Sequence, residues 1–315
     1  DTFYVGNTDG VVSFPYTPGQ TRITAPVRRH STYKTRGHWT RSLLPSPDGR
    51  RLYIGVGSLS NIGDLGMHAE AGRACIYELD LVTQHCRSYA SGLRNPVGLA
   101  WEPGTGALWT VVNERDGLGD ETPPDYLTRV QDGGFYGWPY CYWGQTVDDR
   151  VPQDAALVAT ATTPDYALGG HTASLGLCWL PAGILPGFEN GMVIGQHGSW
   201  NRSKLSGYRV IFVPFADGRV VHLPVEICGV HLLSRWLSAS VPIPHKRRGP
   251  RPRSRKRSLL GSASRRSIRS LRTPHANHDG ALGDSRDGRT KGMGETKARR
   301  PRTHRGARGV SRRTR

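Results

Sequence analysis

The sequence predicts an all-β fold of the β-propeller type, and three observations predict it. Glycine supplies 40 of the 315 residues and hydrophobic residues 36%, a balance that suits a turn-rich β chain better than a helical one. A hairpin pattern recurs: a short apolar strand, a Pro/Gly/Asp turn, a second apolar strand, then a long polar loop. The copies are imperfect and read as about four short strands in each unit of roughly 40–50 residues, the mark of a radial repeat. A β-sandwich shares the short strands and frequent turns, but the long loop on one side of each hairpin favours the propeller.

The elements follow in order. Phe3 to Val5 and Gly10 to Phe14 read as strands around an Asn7-Thr8-Asp9-Gly10 turn. Residues 17–37 are polar and read as loop. Ser42 to Leu44 leads through Pro47-Asp48-Gly49 into Leu52 to Val56, and Asp48-Gly49 supplies the positive-φ turn position. Ala74 to Leu79 is another strand. The next copy pairs Val97 to Trp101 with Ala107 to Val112 across Pro103-Gly104. Arg94-Asn95 precede it, and a loop bearing Glu114, Arg115, Asp116, Asp120 and Glu121 follows it. Gly133 to Tyr140 is rich in glycine and aromatics. The last copy runs from Leu175 to Leu180 and from Asn190 to Gly195, followed by Arg209 to Pro214 and an Asp217-Gly218 turn.

The formal net charge of +18 divides unevenly. Residues 228–315 hold 21 arginines and four lysines against four acidic residues, a balance of +21 that leaves −3 for residues 1–227. The front therefore reads as a mildly acidic globular chain over 1–227, and 228–315 as an Arg-rich, low-complexity tail. Beyond Arg219 the apolar alternation is lost, and the only aromatic among residues 228–315 is Trp236. Such a segment buries too little apolar surface to offset chain entropy and is expected to be disordered. With almost no aromatics for stacking, the tail supports nonspecific, salt-dependent nucleic-acid contact and no specific nucleic-acid partner. No 18-residue apolar run predicts a transmembrane segment, and the start shows no signal peptide; Asp1 reads as a fragment or mature end. The five cysteines, at 75, 86, 141, 178 and 228, show no CxxC spacing, which argues against zinc and covalent haem. Buried free thiols are expected over a Cys75–Cys86 disulfide.

Chemistry-bearing residues cluster at the ends of the strand runs. These are His38, Arg94 and Asn95, Glu114 to Asp116, His171 and Thr172, and His197 with Trp200, Asn201 and Arg202. In a propeller, strand ends of different blades converge on the central channel, so these residues can share one site. A histidine, an Arg-Asn pair and a carboxylate there could bind an anion and move a proton. Carbonyl and carboxylate oxygens of the 114–117 loop would suit Ca²⁺, a hard cation. Each has a structural reading too: His38 as a bonded loop histidine, Arg94 as an internal salt bridge, the acidic loop as a solvated face, and Trp138, Trp143 and Trp200 as packing.

Taken together, Gly37-His-Trp-Thr-Arg41, Ser46-Pro-Asp-Gly49, Gly92-Leu-Arg-Asn-Pro-Val-Gly-Leu99, Asn113-Glu-Arg-Asp-Gly-Leu-Gly-Asp120, Gly133-Gly-Phe-Tyr-Gly-Trp-Pro139, His171-Thr-Ala-Ser-Leu-Gly-Leu177 and Gly195-Gln-His-Gly-Ser-Trp-Asn-Arg202 resemble the glucose/sorbosone dehydrogenase family, nearest its L-sorbosone dehydrogenase-like branch. The resemblance covers residues 1–219. It implies a six-bladed propeller binding pyrroloquinoline quinone (PQQ) and Ca²⁺ at the channel. It further implies oxidation of a sugar or sugar aldehyde outside the cytoplasm, with an external electron acceptor. By resemblance His38 is the base that takes the hydroxyl proton while hydride passes to the quinone. Arg94 and Asn95 hold the quinone's oxygens, with His171, Thr172 and His197 also at the cofactor, and Arg115, Asp116 and Gly117 serve the cation. The family continues past Arg219 with another blade that supplies a cofactor arginine, and residues after 219 do not match it. An incomplete propeller, inactive through loss of that blade, is therefore expected; a non-enzymatic propeller scaffold is the alternative.

Overall fold

The computed structural model describes residues 1–221 and 224–229, which form four larger antiparallel sheets in chain order and one two-stranded ribbon. The first holds β1 (Thr2–Asn7), β2 (Gly10–Pro15) and the two-residue β3 (Arg28–Arg29). The second is a meander of β4 (Arg41–Pro45), β5 (Arg51–Val56), β6 (Cys75–Asp80) and β7 (Cys86–Ser91). The third begins with β8 (Pro96–Glu102), β9 (Ala107–Val112) and β10 (Pro124–Arg129). An excursion then carries the ribbon β11 (Cys141–Tyr142) and β12 (Thr146–Val147) and the short helix α1 (Ala155–Thr160), capped by Asp154, whose Oδ1 accepts from Leu157 N. The chain returns as β13 (Tyr166–Gly170) to complete the third sheet beside β10. The fourth holds β14 (Ser174–Leu180), β15 (Gly191–Gln196), β16 (Arg209–Ala216), β17 (Arg219–Val220) and β18 (Val225–Gly229).

The sheets stack face to face in sequence, and strand alternation divides their side chains among three cores. Leu52, Ile54 and Val56 of β5 turn toward the first sheet with Val11, while Tyr53 turns the other way to join Leu99, Leu108 and Val112. On β9, Leu108 and Val112 face the second sheet, whereas Trp109 and Val111 face the fourth with Met192, Ile194 and Phe215. Each fully buried Leu, Ile or Val is worth about 1.5–3 kcal/mol of burial. The first strands β1, β4, β8 and β14 lie side by side, the inner edge of a propeller-like succession. Glycine permits this approach: a Cβ on Gly98 of β8 would lie 2.5 Å from Leu177 Cβ of β14, and one on Gly6 of β1 2.2 Å from Arg41 O of β4.

Three expectations are corrected. Residues 17–37 are not all loop, since β3 pairs with β2 through Val12–Arg29 and Ser13–Arg28. Order also continues beyond Arg219: β18 pairs with β16 because Val-Glu-Ile keeps a strand-like alternation. The five thiols are free, as expected, but Cys86 and Cys178 are exposed and not buried. No helix among the described residues is long and apolar enough to cross a membrane. The Arg-rich tail from residue 230 onward lies outside the described residues.

Candidate functional site

Strands that alternate in direction start and finish at the same end of each sheet. The start of β4, the start of β8, the end of β9, the turn from β13 to β14 and the end of β15 therefore meet at one end of the stack. There they enclose a cavity of about 250 Å³ lined by His38, Trp39, Thr40, Asn95, Val97, Asn113, Asp116, His171, Ala173, Leu175, His197, Gly198 and Trp200. Six residues singled out in the sequence, His38, Asn95, Asp116, His171, His197 and Trp200, thus share one site.

His38 is oriented by Ser58, which follows β5. Its Nδ1 lies 2.9 Å from the Ser58 carbonyl oxygen, and its main-chain N–H donates to the same oxygen at 3.1 Å. A carbonyl can only accept, so Nδ1 carries the hydrogen and Nε2 keeps its lone pair. Burial, and then the Arg94 charge, push the His38 pKa down to about 4, so the ring is neutral at ordinary pH. Arg73, buried just before β6, donates to Ser58 O and His38 O at 2.9 Å each and fixes the pair from behind. Gly57 seats both neighbours, since a Cβ there would lie 2.2 Å from Asn95 Oδ1 and 2.7 Å from His38 Cβ. Asn95 Oδ1 is buried without a hydrogen-bond partner.

Arg94 stands behind the cavity and does not line it. Its guanidinium donates to Asn61 O, Asn61 Oδ1, Asn113 O and Glu114 O at 2.7–3.3 Å, clamping the loop after β9. Asp116 Oδ2 lies 3.9 Å from it, and Asp116 Oδ1 lies 3.2 Å from His171 Nδ1. His171 Nε2 faces Gly119 O at 2.8 Å, so both ring nitrogens are engaged. His197 makes no side-chain hydrogen bond among the described residues and is exposed at the rim. Thr172 sits elsewhere, buried with its hydroxyl donating to Asp125 Oδ2 at 3.0 Å. Beneath the floor, burial pushes the Glu114 carboxyl up to about 7 and raises that of Asp125, and Asp125 accepts from Glu114 N and Ser174 N.

The 115–117 loop is engaged internally. Arg115 forms a buried ion pair with Asp148 at 2.9 Å. The Asp116 carbonyl accepts from Asn61 Nδ2 at 3.0 Å, and the Gly117 carbonyl accepts from the Arg150 guanidinium. A guanidinium on a carbonyl meant for a divalent cation opposes that cation, so the loop in this arrangement does not fit Ca²⁺. Among the described residues no group of three or more His, Cys, Asp or Glu side chains could hold a metal. A planar, polar-edged organic group is another matter. The cavity offers apolar and aromatic walls, and the orphaned Asn95 Oδ1 can meet a polar edge.

Sequence reasoning missed Ser58, Asn61, Arg73 and Trp39. Arg73 had a signal: like Arg94, it is an arginine just ahead of an apolar strand at the same sheet end. Ser58 and Asn61 act through main-chain and amide contacts that no residue pattern announces.

Residues 1–153 match the TrAA12-like family model. The chain is 27% identical over 221 residues to the pyrroloquinoline quinone-dependent pyranose dehydrogenase of Coprinopsis cinerea, covering 56% of this chain and 30% of that protein. Two solved structures share the fold. The calcium structure of the Trichoderma reesei AA12 enzyme has a TM-score of 0.61 at 22% identity, covering 70% of this chain and 65% of that one. The holo PQQ domain of the Coprinopsis cinerea enzyme has a TM-score of 0.57 at 23% identity, covering 73% and 66%. The chain spans less than half the length of the curated relatives it matches. Over part of its length the chain is thus similar to the TrAA12-like family model and to a PQQ-dependent sugar dehydrogenase.

Proposed function

We propose that this cleft oxidises a sugar or sugar aldehyde with PQQ as the redox group and His38 as the base. The observation that carries the reading is His38 itself: neutral, with Nδ1 committed to Ser58 O and Nε2 left with a free lone pair in a residue that lines the cavity. Nε2 takes the proton of the sugar hydroxyl as its carbon gives up hydride and becomes a carbonyl. The imidazolium so formed keeps its Nδ1–H on Ser58 O, and the Asp116 carboxylate favours the positive charge. PQQ, when bound, supplies the two-electron acceptor for that hydride. Asn95 would meet a polar edge of the cofactor, with His197 at the rim and Val97 and Leu175 as apolar walls. Arg94 acts through the loop it clamps. No step is assigned to Ca²⁺. The motif resemblance implies a six-bladed ring, of which the four larger sheets would be part, and an extracytoplasmic setting with an external electron acceptor. The division into propeller and basic tail belongs to the same proposal, with its boundary moved beyond β18, which runs to Gly229. The scaffold alternative gains no support from a base held in one tautomer.

The test is calorimetric titration of PQQ into the purified chain, followed by dye-linked sugar oxidation. Saturable PQQ binding, with oxidation reduced at least about 100-fold in His38→Gln and binding retained, is expected. Oxidation that survives His38→Gln refutes the role of His38, and absence of PQQ binding refutes the cofactor reading for this chain.

A further inference from the structure

The fourth sheet has an apolar face with no sheet beyond it among the described residues. Leu177 and Trp179 of β14, Met192 and Ile194 of β15, and Ile211 and Val213 of β16 turn toward the third sheet. Strand alternation sends the residues between them to the opposite face. There the register aligns two cross-strand rows. One runs Gly176, Gly195, Val210 and Cys228, the other Cys178, Val193, Phe212 and Val225. Neither row carries a charge, and the two thiols are their only polar side chains. By contrast with β9, buried on both faces, this face leaves Cys178 and Val225 exposed.

The second row is partly covered. Phe188, between β14 and β15, packs edge-on against Phe212 with ring centroids 5.4 Å apart, and Phe212 is 4% exposed. The first row is open. Gly176 and Gly195 pair without side chains, beside a groove of about 400 Å³ whose walls include Leu175, Tyr208, Val210 and Cys228.

Strand β18 delivers the chain to that groove. It ends at Gly229, paired with Arg209 at the start of β16 and one residue past the groove's own Cys228. Residues 230–244 come next and lie outside the described residues. They read Val230-His-Leu-Leu-Ser-Arg-Trp-Leu-Ser-Ala-Ser-Val-Pro-Ile-Pro244, with eight apolar residues of 15, a single arginine and no acid. Residues 245–315, which open with His245-Lys-Arg-Arg248, hold only 12 apolar residues of 71. By composition, then, 230–244 suits the sheet face and not the basic tail.

We propose that residues 230–244 dock on the outer face of the fourth sheet and fill the groove beside Gly195, Val210 and Cys228. Their reach is ample. Fifteen extended residues span about 50 Å, whereas four strands about 4.8 Å apart are about 14 Å across and about 20 Å long. Covering Val193 and Val210 with Leu232, Leu233 or Trp236 takes apolar surface of both partners out of water. The face offers no partner to a buried charge, so the basic residues from Lys246 onward are kept off it. A segment joined directly to β18 also docks at a far higher effective concentration than a free chain.

The test reads thiol access in the full chain and involves neither PQQ nor sugar. A maleimide is applied under native conditions, and the rate at each cysteine is read by peptide mass spectrometry and normalised to the same cysteine in urea. Exposed Cys86, on the second sheet, is the reference. Cys178 should react at least about 10-fold more slowly than Cys86, the mark of a face that opens only locally. Leu233→Asp with Trp236→Asp should bring Cys178 to within about 2-fold of Cys86, and Leu233→Ser alone should move it the same way. Unreactive Cys75 and Cys141, both buried, report that each variant stays folded. Arg247→Ser with Arg248→Ser should leave Cys178 slow. Fast labelling of Cys178 in the full chain overturns the proposal. So does protection that persists in both variants of 230–244, or protection that fades on dilution, which marks a second copy on this face.

Discussion

His38 should remain neutral down to about pH 4, and its surroundings set the size of the effect. Burial is the larger cause, the Arg94 charge the next; the hydrogen bond to Ser58 opposes them and Arg73 adds to them. A fall from 6.5 to about 4 is worth about 3 kcal/mol at 1.36 kcal/mol per unit. The sign follows from proton counting. Between pH 6.5 and 4 the unfolded chain protonates this histidine and the folded chain does not. The stability His38 contributes is therefore complete above 6.5, declines as pH falls, and is lost below about 4. At pH 4.5 about 2.5 kcal/mol of it should be gone. The assay is urea denaturation of the wild type and His38→Gln at pH 7.5 and 4.5. Groups common to both proteins cancel in the comparison, so the wild type should lose about 2.5 kcal/mol more than the variant between the two pH values. NMR titration of the His38 ring gives the same quantity directly. A midpoint near 6.5, or identical pH dependence in the two proteins, would refute the reasoning. The acid limb of any sugar oxidation should likewise fall near pH 4.

Glu114 should act in the opposite direction. With its carboxyl raised to about 7, the stability it contributes is complete below 4.5 and is lost as pH rises through 7, about 3 kcal/mol in all. Glu114→Gln should remove that alkaline loss from denaturation curves taken between pH 5 and 8. Gly57→Ala should push His38 and Asn95 apart at a cost of about 1–3 kcal/mol, visible as a displaced His38 ring signal and a lower denaturation midpoint. Arg73→Met should cost about 1–3 kcal/mol, because the Gly57 carbonyl loses the Arg73 donor while those of Lys34 and His38 keep Arg41 and that of Ser58 keeps His38; an unchanged midpoint would show that water replaces it. Gly98→Ala should separate β8 from β14 and lower the midpoint through the core shared by the third and fourth sheets, while Gly49→Ala, with open space around it but a positive φ, should cost about 1 kcal/mol or less.

The site was legible where strand ends carry it. Asn95 directly precedes β8, His171 directly follows β13, His197 directly follows β15, and His38 lies three residues before β4. Antiparallel strands of one stack return to the same end, so adjacency to a strand boundary in sequence becomes adjacency in space. Arg94 and Thr172, expected at the cofactor, do not line the cavity, because position at a strand end does not settle which way a side chain turns. Arg94 turns back to clamp the 113–116 loop, and Thr172 turns down onto Asp125. β10 escaped notice although four of its six residues are buried, and other strands were missed because their pattern is weak. β7 reads Cys-Arg-Ser-Tyr-Ala-Ser with only Ala90 fully buried, since an outer strand has little apolar surface to hide. β13 reaches its partner β10 only after the excursion through β11, β12 and α1, a separation that local periodicity cannot bridge. What the pattern left unseen is therefore of one kind. Ser58, Asn61 and Arg73 fix the candidate base and its loop mainly through main-chain oxygens, so their importance depends on where the backbone of other strands ends. A mutational survey guided by motif alone would pass over all three, although removing any one should disturb His38 or the Asp116 loop more than changing the solvent-facing His197.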